Sequence, residues 1–287
     1  TFYTGNLGNK EFIGMGYGLM AYANLHFIKK TNFEWNIRMG TGAGWIQKIF
    51  DRTENNKNVA IGSHLNGMML LSTEAKFIRK KMDFGTGITL THFSNGSFTV
   101  PNLGLNLPSV FVSAYYKFGN HETQVTPVER EKFNRFSTTT VIASFGGKEI
   151  YPAGSQRYLV SSVCSYFMRQ LNEKSGINFG LDYFYSDAIY NRLRIDSVAT
   201  GSRFSYSQLG LHVGHELNIG NLTMLVQLGT YVVDKYKEDG MIYNRLGVRY
   251  YMKNNIVASL MLKTHFAKAD YFEFGLGYRF NLRKNEK

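Results

Sequence analysis

This chain of 287 residues has little cysteine, little proline and no long apolar run, and each of these features limits the kinds of structure that it can form. A single cysteine excludes an internal disulfide, and the apolar-aromatic strand pattern around Cys164 indicates a small buried or lipid-facing thiol without a redox role. No apolar run approaches the roughly 20 residues of a membrane-spanning helix, which excludes a helical membrane protein. With only 4 prolines, long uninterrupted strands are possible.

The charge balance is basic but not concentrated. Lys and Arg number 33 against 21 Asp and Glu, a formal net charge of +12. The basic residues are scattered through turns and strand ends rather than gathered in a stripe, so a nucleic-acid partner is not favoured. Attraction to acidic lipid headgroups explains this distribution at least as well, and ordinary solubilising charge in loops is the alternative.

Residues that favour β-strands and the turns between them are abundant: aromatic residues reach 15%, and 29 glycines are present. Apolar and polar residues alternate in segment after segment, most clearly over residues 271 to 282. A soluble sandwich would also alternate. Bulky apolar residues on one face, glycine and polar groups on the other, and aromatic residues near the ends are typical of a lipid-embedded barrel.

Thirteen alternating segments can be counted, and residues 1 to 6 are expected to supply a fourteenth strand; if one segment is not a full strand, there are twelve. The segments are 12 to 28, 33 to 47, 63 to 77, 81 to 95, 107 to 119, 132 to 147, 157 to 172, 176 to 191, 202 to 219, 221 to 235, 242 to 252, 255 to 266 and 270 to 282. The prediction is an all-β fold: a transmembrane antiparallel up-and-down β-barrel of 12 to 14 strands, with residues 1–287 in a single domain of a bacterial outer membrane.

Loop lengths orient the predicted strands, because such barrels have short periplasmic turns and longer external loops. Short connections fall near 29 to 32, 78 to 80, 173 to 175, 220 and 253 to 254, whereas 48 to 62, 96 to 106, 148 to 156 and 192 to 201 are longer and lie at the opposite end. The segment 120 to 131 is an exception, long but on the periplasmic side.

A possible nucleophile and base stand at the external end of segment 81 to 95. His92 and Ser94 are two residues apart, so they share the apolar face of the strand. The next segment should pair with this one as a hairpin, and parity then allows Asn106 to lie beside His92. Ser94, His92 and Asn106 together supply nucleophile, base and orienting partner. His-x-Ser is weak on spacing alone, and a polar rim at the membrane interface is the alternative interpretation.

The string HFSNGSFTVPNLGLN resembles the lipid A 3-O-deacylase family, outer-membrane barrels with the motif His-x-Ser-Asn, then Pro-Asn-x-Gly, then an acidic residue. The match covers roughly residues 60 to 118. The resemblance implies an esterase with Ser94 as nucleophile and His92 as general base. Oxyanion or substrate-binding roles fall to the motif residues Asn95, Gly96, Asn102 and Gly104. Asn106 stands where the family usually has its acid.

The predicted function is therefore hydrolysis of an ester-linked acyl chain of lipid A, with lipopolysaccharide of the outer leaflet as substrate. No metal or organic cofactor is required, and no protein partner is indicated. In the string HVGHE, His212 and His215 face opposite sides of a strand, which argues against a zinc site. The lumenal pairs Arg245/Arg249 and Glu273/Arg279 predict a charged plug or, as an alternative, a polar pore. The second function considered is a non-enzymatic barrel, either a narrow channel or a structural partner in an envelope complex.

Overall fold

The computed structural model describes residues 1–118, 135–199, 201–266 and 268–282. Fourteen strands are present in this part of the chain, which confirms the all-β prediction and its upper strand number. They are β1 (Phe2–Asn6), β2 (Met15–Lys29), β3 (Phe33–Ile46), β4 (Leu65–Phe77), β5 (Met82–Ser94), β6 (Leu105–Tyr116), β7 (Ser137–Glu149), β8 (Arg157–Gln170), β9 (Ser175–Ser186), β10 (Gln208–Ile219), β11 (Leu222–Val233), β12 (Ile242–Tyr251), β13 (Ile256–His265) and β14 (Lys268–Asn281).

One helix, α1 (Asp187–Ile195), and a 3-10 turn at Arg203–Tyr206 occupy the connection after β9. The predicted strands 176 to 191 and 202 to 219 were therefore too long, and the helix was missed. Its ends suit the helix dipole, with Asp187 in the first turn and Arg192 and Arg194 in the last. No helix among the described residues is long and apolar enough to cross a membrane. The predicted loop 120 to 131 lies outside the described residues.

The strands form two antiparallel sheets. In the first, β1 to β6 lie in chain order; in the second, β7 to β14 form a closed barrel because β14 pairs with β7. Chain contacts divide the protein in the same way: the first unit is Thr1–Asn95 with Pro101–Glu129, and the second is Gly96–Val100 with Arg130–Lys287. That residues 1–287 act as a single domain stays a prediction.

In the first unit, alternation separates an apolar outer face from a mixed inner face. Along β5, Phe84, Ile88 and Leu90 are exposed, whereas Asp83 and Phe93 are buried. At the end with the long loops, the inner face carries an apolar cluster composed of Leu7, Met20, Ile46, Ile61, Met68, Phe93 and Leu105. This cluster lies directly behind the end of β5, so it fixes the backbone from which His92 and Ser94 project.

In the second unit, large apolar residues again face outward, and the lumen is filled by charged and polar side chains. Arg245 donates through Nη1 to Asp182 at 2.8 Å and through Nε to Glu273 at 2.8 Å. Lys263 donates to Asp270 at 2.8 Å. Paired charges of the kind predicted for a plug thus fill the lumen around Arg245 and Glu273, but Arg245 pairs with Glu273 and Asp182.

Candidate active site

His92 and Asn106 face each other across the β5–β6 ladder, as the hairpin register predicts. His92 Nδ1 lies 2.8 Å from Asn106 Oδ1. An amide oxygen can only accept, so Nδ1 donates to it, and in the neutral ring the basic nitrogen is then Nε2. His92 is half-buried on the outer face, and Asn106 is exposed. The pair therefore fixes the orientation of the imidazole and leaves Nε2 as the ring nitrogen for proton transfer.

Ser94, two residues beyond His92, is almost fully buried at 5% exposure. Asn102 Nδ2 donates to Ser94 Oγ at 2.9 Å, and Asn102 Oδ1 accepts from the backbone N–H of Asn95 at 3.0 Å. One amide thus clamps the serine hydroxyl to the backbone of the next residue. A donor at this distance from Oγ would also stabilise negative charge there.

The network continues into the loop between β3 and β4. Asn95 Nδ2 donates to Ser63 Oγ at 2.9 Å, and Ser63 Oγ donates to the carbonyl of Leu65 at 3.0 Å. The backbone N–H of Gly104 donates to the carbonyl of Ala60 at 3.0 Å. Sequence reasoning did not single out Ser63. The signal was available, since Ser63 belongs to the matching segment 60 to 118, but nothing in the spacing assigns it a partner.

Gly104 lies against the imidazole ring of His92. Its φ is +77°, and a Cβ atom there would stand 2.8 Å from His92 Cε1. Both the backbone conformation and the close approach require glycine. Gly96 also has a positive φ, +61°. It belongs to the second unit, and a Cβ atom added there would lie 2.5 Å from the Phe272 ring. The structure therefore brings His92, Ser94, Asn95, Asn102, Gly104 and Asn106 together in the first unit.

Aromatic side chains mark two levels on the outer face of the first unit. Trp35 and Trp45 are exposed near opposite ends of β3, ten residues apart. At about 3.3 Å per residue and a tilt near 40°, they are separated by about 25 Å along a barrel axis, which is the height of a typical apolar band. In the ladder, Ser94 is level with Ala43, two residues from Trp45. Ser94 therefore lies close to the aromatic level at the end with the long loops.

Two groups in the second unit have the donor atoms for a metal ion within 4.8 Å of one another: Cys164 with Asp182 and His212, and Asp239 with His265 and Asp270. Asp182 already accepts from Arg245, and Asp270 already pairs with Lys148 and Lys263. The positive charges of Arg245, Lys148 and Lys263 would repel a metal cation, so we assign no metal ion to either group. His212 is buried, whereas His215 bonds Ser175 on the exposed face at 2.7 Å.

Comparison with known families matches one family model to each of the two units. A family model described as lipid A 3-O-deacylase (PagL) matches residues 1–115, and one described as the C-terminal domain of acyloxyacyl hydrolase matches residues 136–282. The chain belongs to the PagL family. Proteins of the PagL family are outer-membrane proteins, and the antiparallel barrel fold fits that family. The PagL match includes the whole segment from Ser63 to Asn106.

No curated protein sequence matches the chain. Among solved structures, two mutants of the porin from Rhodopseudomonas blastica align over 93% of this chain and 91% of the porin chain. Their identities are 7% and 6%, each with a TM-score of 0.21. A likeness this weak adds nothing to the family assignment.

Proposed function

We propose that this PagL-family protein is a serine esterase of the outer membrane that removes an ester-linked acyl chain from lipid A. The observation that carries the proposal is the hydrogen bond from His92 Nδ1 to Asn106 Oδ1 beside Ser94, on an outward apolar face. It supports an oriented base and a nucleophile within the segment matched by the lipid A 3-O-deacylase model.

The chemistry follows the general acyl-enzyme route. His92 Nε2 takes the proton of Ser94 Oγ as Oγ attacks the ester carbonyl carbon, which gives a tetrahedral oxyanion. The oxyanion collapses, the C–O bond to the sugar breaks, and the departing oxygen receives the proton from His92. A water molecule, deprotonated by His92, then attacks the acyl-serine and releases a fatty acid with regeneration of Ser94. The Asn102 amide beside Oγ and the Asn95 segment are candidates for oxyanion donors.

The depth of Ser94 supports a lipid substrate. The ester carbonyls of a lipid lie at the boundary between headgroups and acyl chains, where aromatic residues of membrane barrels also collect. Ser94 is two residues from the Trp45 level in the ladder. A lipid in the external leaflet could therefore present its ester bond to Ser94 without leaving the bilayer.

The test is mass spectrometry of lipid A from cells that express the wild-type chain, Ser94→Ala or His92→Ala. Loss of one ester-linked acyl chain is expected with wild type and not with either variant. Ser109→Ala, on β6, is a matched control that should leave deacylation intact. Intact lipid A in wild-type cells with properly folded protein, or unchanged deacylation by both variants, would contradict the proposal.

A further inference from the structure

The barrel of the second unit contains a cavity that the deacylase chemistry does not use. Its volume is about 270 Å³, and it is reached from the end with the short turns, where Gly220, Asn221 and Lys253 are exposed. Deeper, it is lined by polar side chains, including Glu216, Asn218, Thr223 and Arg279. A cavity of this size and polarity holds several waters or one small polar ligand.

Arg249 lies in the lumen layer next to this cavity. It is the ladder partner of Thr223 and lies two residues before Tyr251, and both of those line the cavity. Its side chain is fully buried, and its Nε, Nη1 and Nη2 atoms have no hydrogen-bond partner among the described residues. Because a guanidinium stays charged, three buried nitrogens without hydrogen bonds call for acceptors that the described residues do not provide.

Arg249 and Arg279 stack on aromatic rings, and this contact does not use their N–H groups. The Arg249 guanidinium carbon lies 4.4 Å from the centre of the Tyr166 ring, and that of Arg279 lies 4.4 Å from the centre of the Tyr251 ring. Stacking on a ring uses the flat face of a guanidinium, so the N–H groups remain for a partner in its plane. The Nε atom of Arg279 is also buried and without a hydrogen-bond partner in the described chain.

Glu216, by contrast, needs a hydrogen-bond donor. Its Oε1 accepts from Asn178 at 2.8 Å and lies 3.7 Å from Arg249 Nη1, which is too long for a direct hydrogen bond. Its Oε2 is buried and has no hydrogen-bond partner among the described residues. A ligand that satisfies this site must carry negative charge, accept from Arg279 and donate to one oxygen of Glu216.

We propose that the cavity binds a protonated oxyanion of the phosphate class, either hydrogen phosphate or the monoanion of a phosphomonoester. The phosphate oxygens accept from Arg279, which lines the cavity, and the P–OH group donates to Glu216 Oε2. The buried charge of Arg249, in the next layer of the lumen, attracts the anion from behind Glu216 and Thr223. Sulfate has the same shape but no proton at neutral pH, so Glu216 repels it. The cavity therefore selects phosphate over sulfate, because sulfate has no proton to donate to Glu216.

The test is isothermal titration calorimetry of the full chain in detergent and chloride buffer, with inorganic phosphate, glycerol 3-phosphate and sulfate as probes. Wild type should bind at least one of the two phosphates saturably and about tenfold or more tightly than sulfate. Tighter binding of inorganic phosphate identifies a free anion as the ligand, and tighter binding of glycerol 3-phosphate identifies a phosphomonoester. Absence of saturable binding of both, or equal affinity for sulfate, would overturn the proposal, since waters would then complete the hydrogen bonds.

Two variants assign the binding to the cavity. Arg279→Gln should weaken phosphate binding about tenfold or more because a charged donor is lost, whereas Lys235→Gln, an equal change of charge in an exposed loop, should not. Glu216→Gln should bring the sulfate affinity close to that of phosphate, because an amide can donate to sulfate. Equal weakening by Lys235→Gln would show a general charge effect and contradict the site. Deacylation by Ser94 is independent of all these outcomes.

Discussion

At the residue scale, the Asn106 amide oxygen accepts the Nδ1 proton of His92 but carries no formal charge. It orients the ring, as a carboxylate would, yet in the proposed mechanism it would stabilise an imidazolium only through its dipole. Asn106 therefore supplies orientation for the proposed base, while its electrostatic support is weaker than an acid would provide.

Replacing Asn106 separates those two contributions. Asn106→Asp should preserve or increase turnover, because a carboxylate also stabilises imidazolium, whereas Asn106→Ala should reduce turnover several tens-fold or more through loss of orientation. The measurement is the rate of fatty-acid release from purified lipid A as a function of pH. Indifference of the rate to both substitutions would remove Asn106 from the mechanism.

At the element scale, strand alternation predicted most of the site because side-chain parity is a local property of the chain. Parity put His92 and Ser94 on one face, and the hairpin put Asn106 opposite His92. The contacts made by Asn102 and Ser63 were not predictable in this way. They depend on the path of loop backbones, which includes positive φ at Gly104, and alternation carries no information about that path.

The loop between β5 and β6 positions the imidazole through Gly104. In Gly104→Ala, the added methyl group would stand 2.8 Å from His92 Cε1 and displace the ring, so deacylation should fall about 100-fold. Gly8→Ala is the matched control, since Gly8 has a φ of +92° and its Cβ would meet nothing within 4 Å. Both variants carry the strain of a positive φ, and only the first should lose activity; an equal loss in the two would assign the effect to backbone strain.

At the scale of the whole molecule, the division of fourteen strands between two sheets was not readable from alternation. Each strand presents the same two-residue period whichever neighbour it pairs with. The second sheet closes because β7 pairs with β14, more than a hundred residues later in the chain. The lumenal charges could be recognised from the sequence as a candidate plug, but their pairing across strands depends on this closure, as with Arg245 and Asp182.

The closed barrel depends on Arg245 far more than on Arg249. Arg245→Met leaves the buried carboxylates of Asp182 and Glu273 without their guanidinium, and loss of one partner from a buried ion pair costs about 3 to 5 kcal/mol.

In phosphate-free buffer, Arg249→Met should cost less, because that guanidinium has no hydrogen-bond partner in the described part of the chain and its ion pair with Glu216 is long, at 3.7 Å. Methionine also fills similar space without unmet hydrogen-bond donors. The measurement is the temperature at which the detergent-solubilised barrel loses its compact band on semi-native gels. The midpoint should fall strongly for Arg245→Met and little for Arg249→Met, with Ser94→Ala unchanged. Equal losses for the two arginines would mean that the contact between Arg249 and Glu216 stabilises the barrel as strongly as the pairs of Arg245 do.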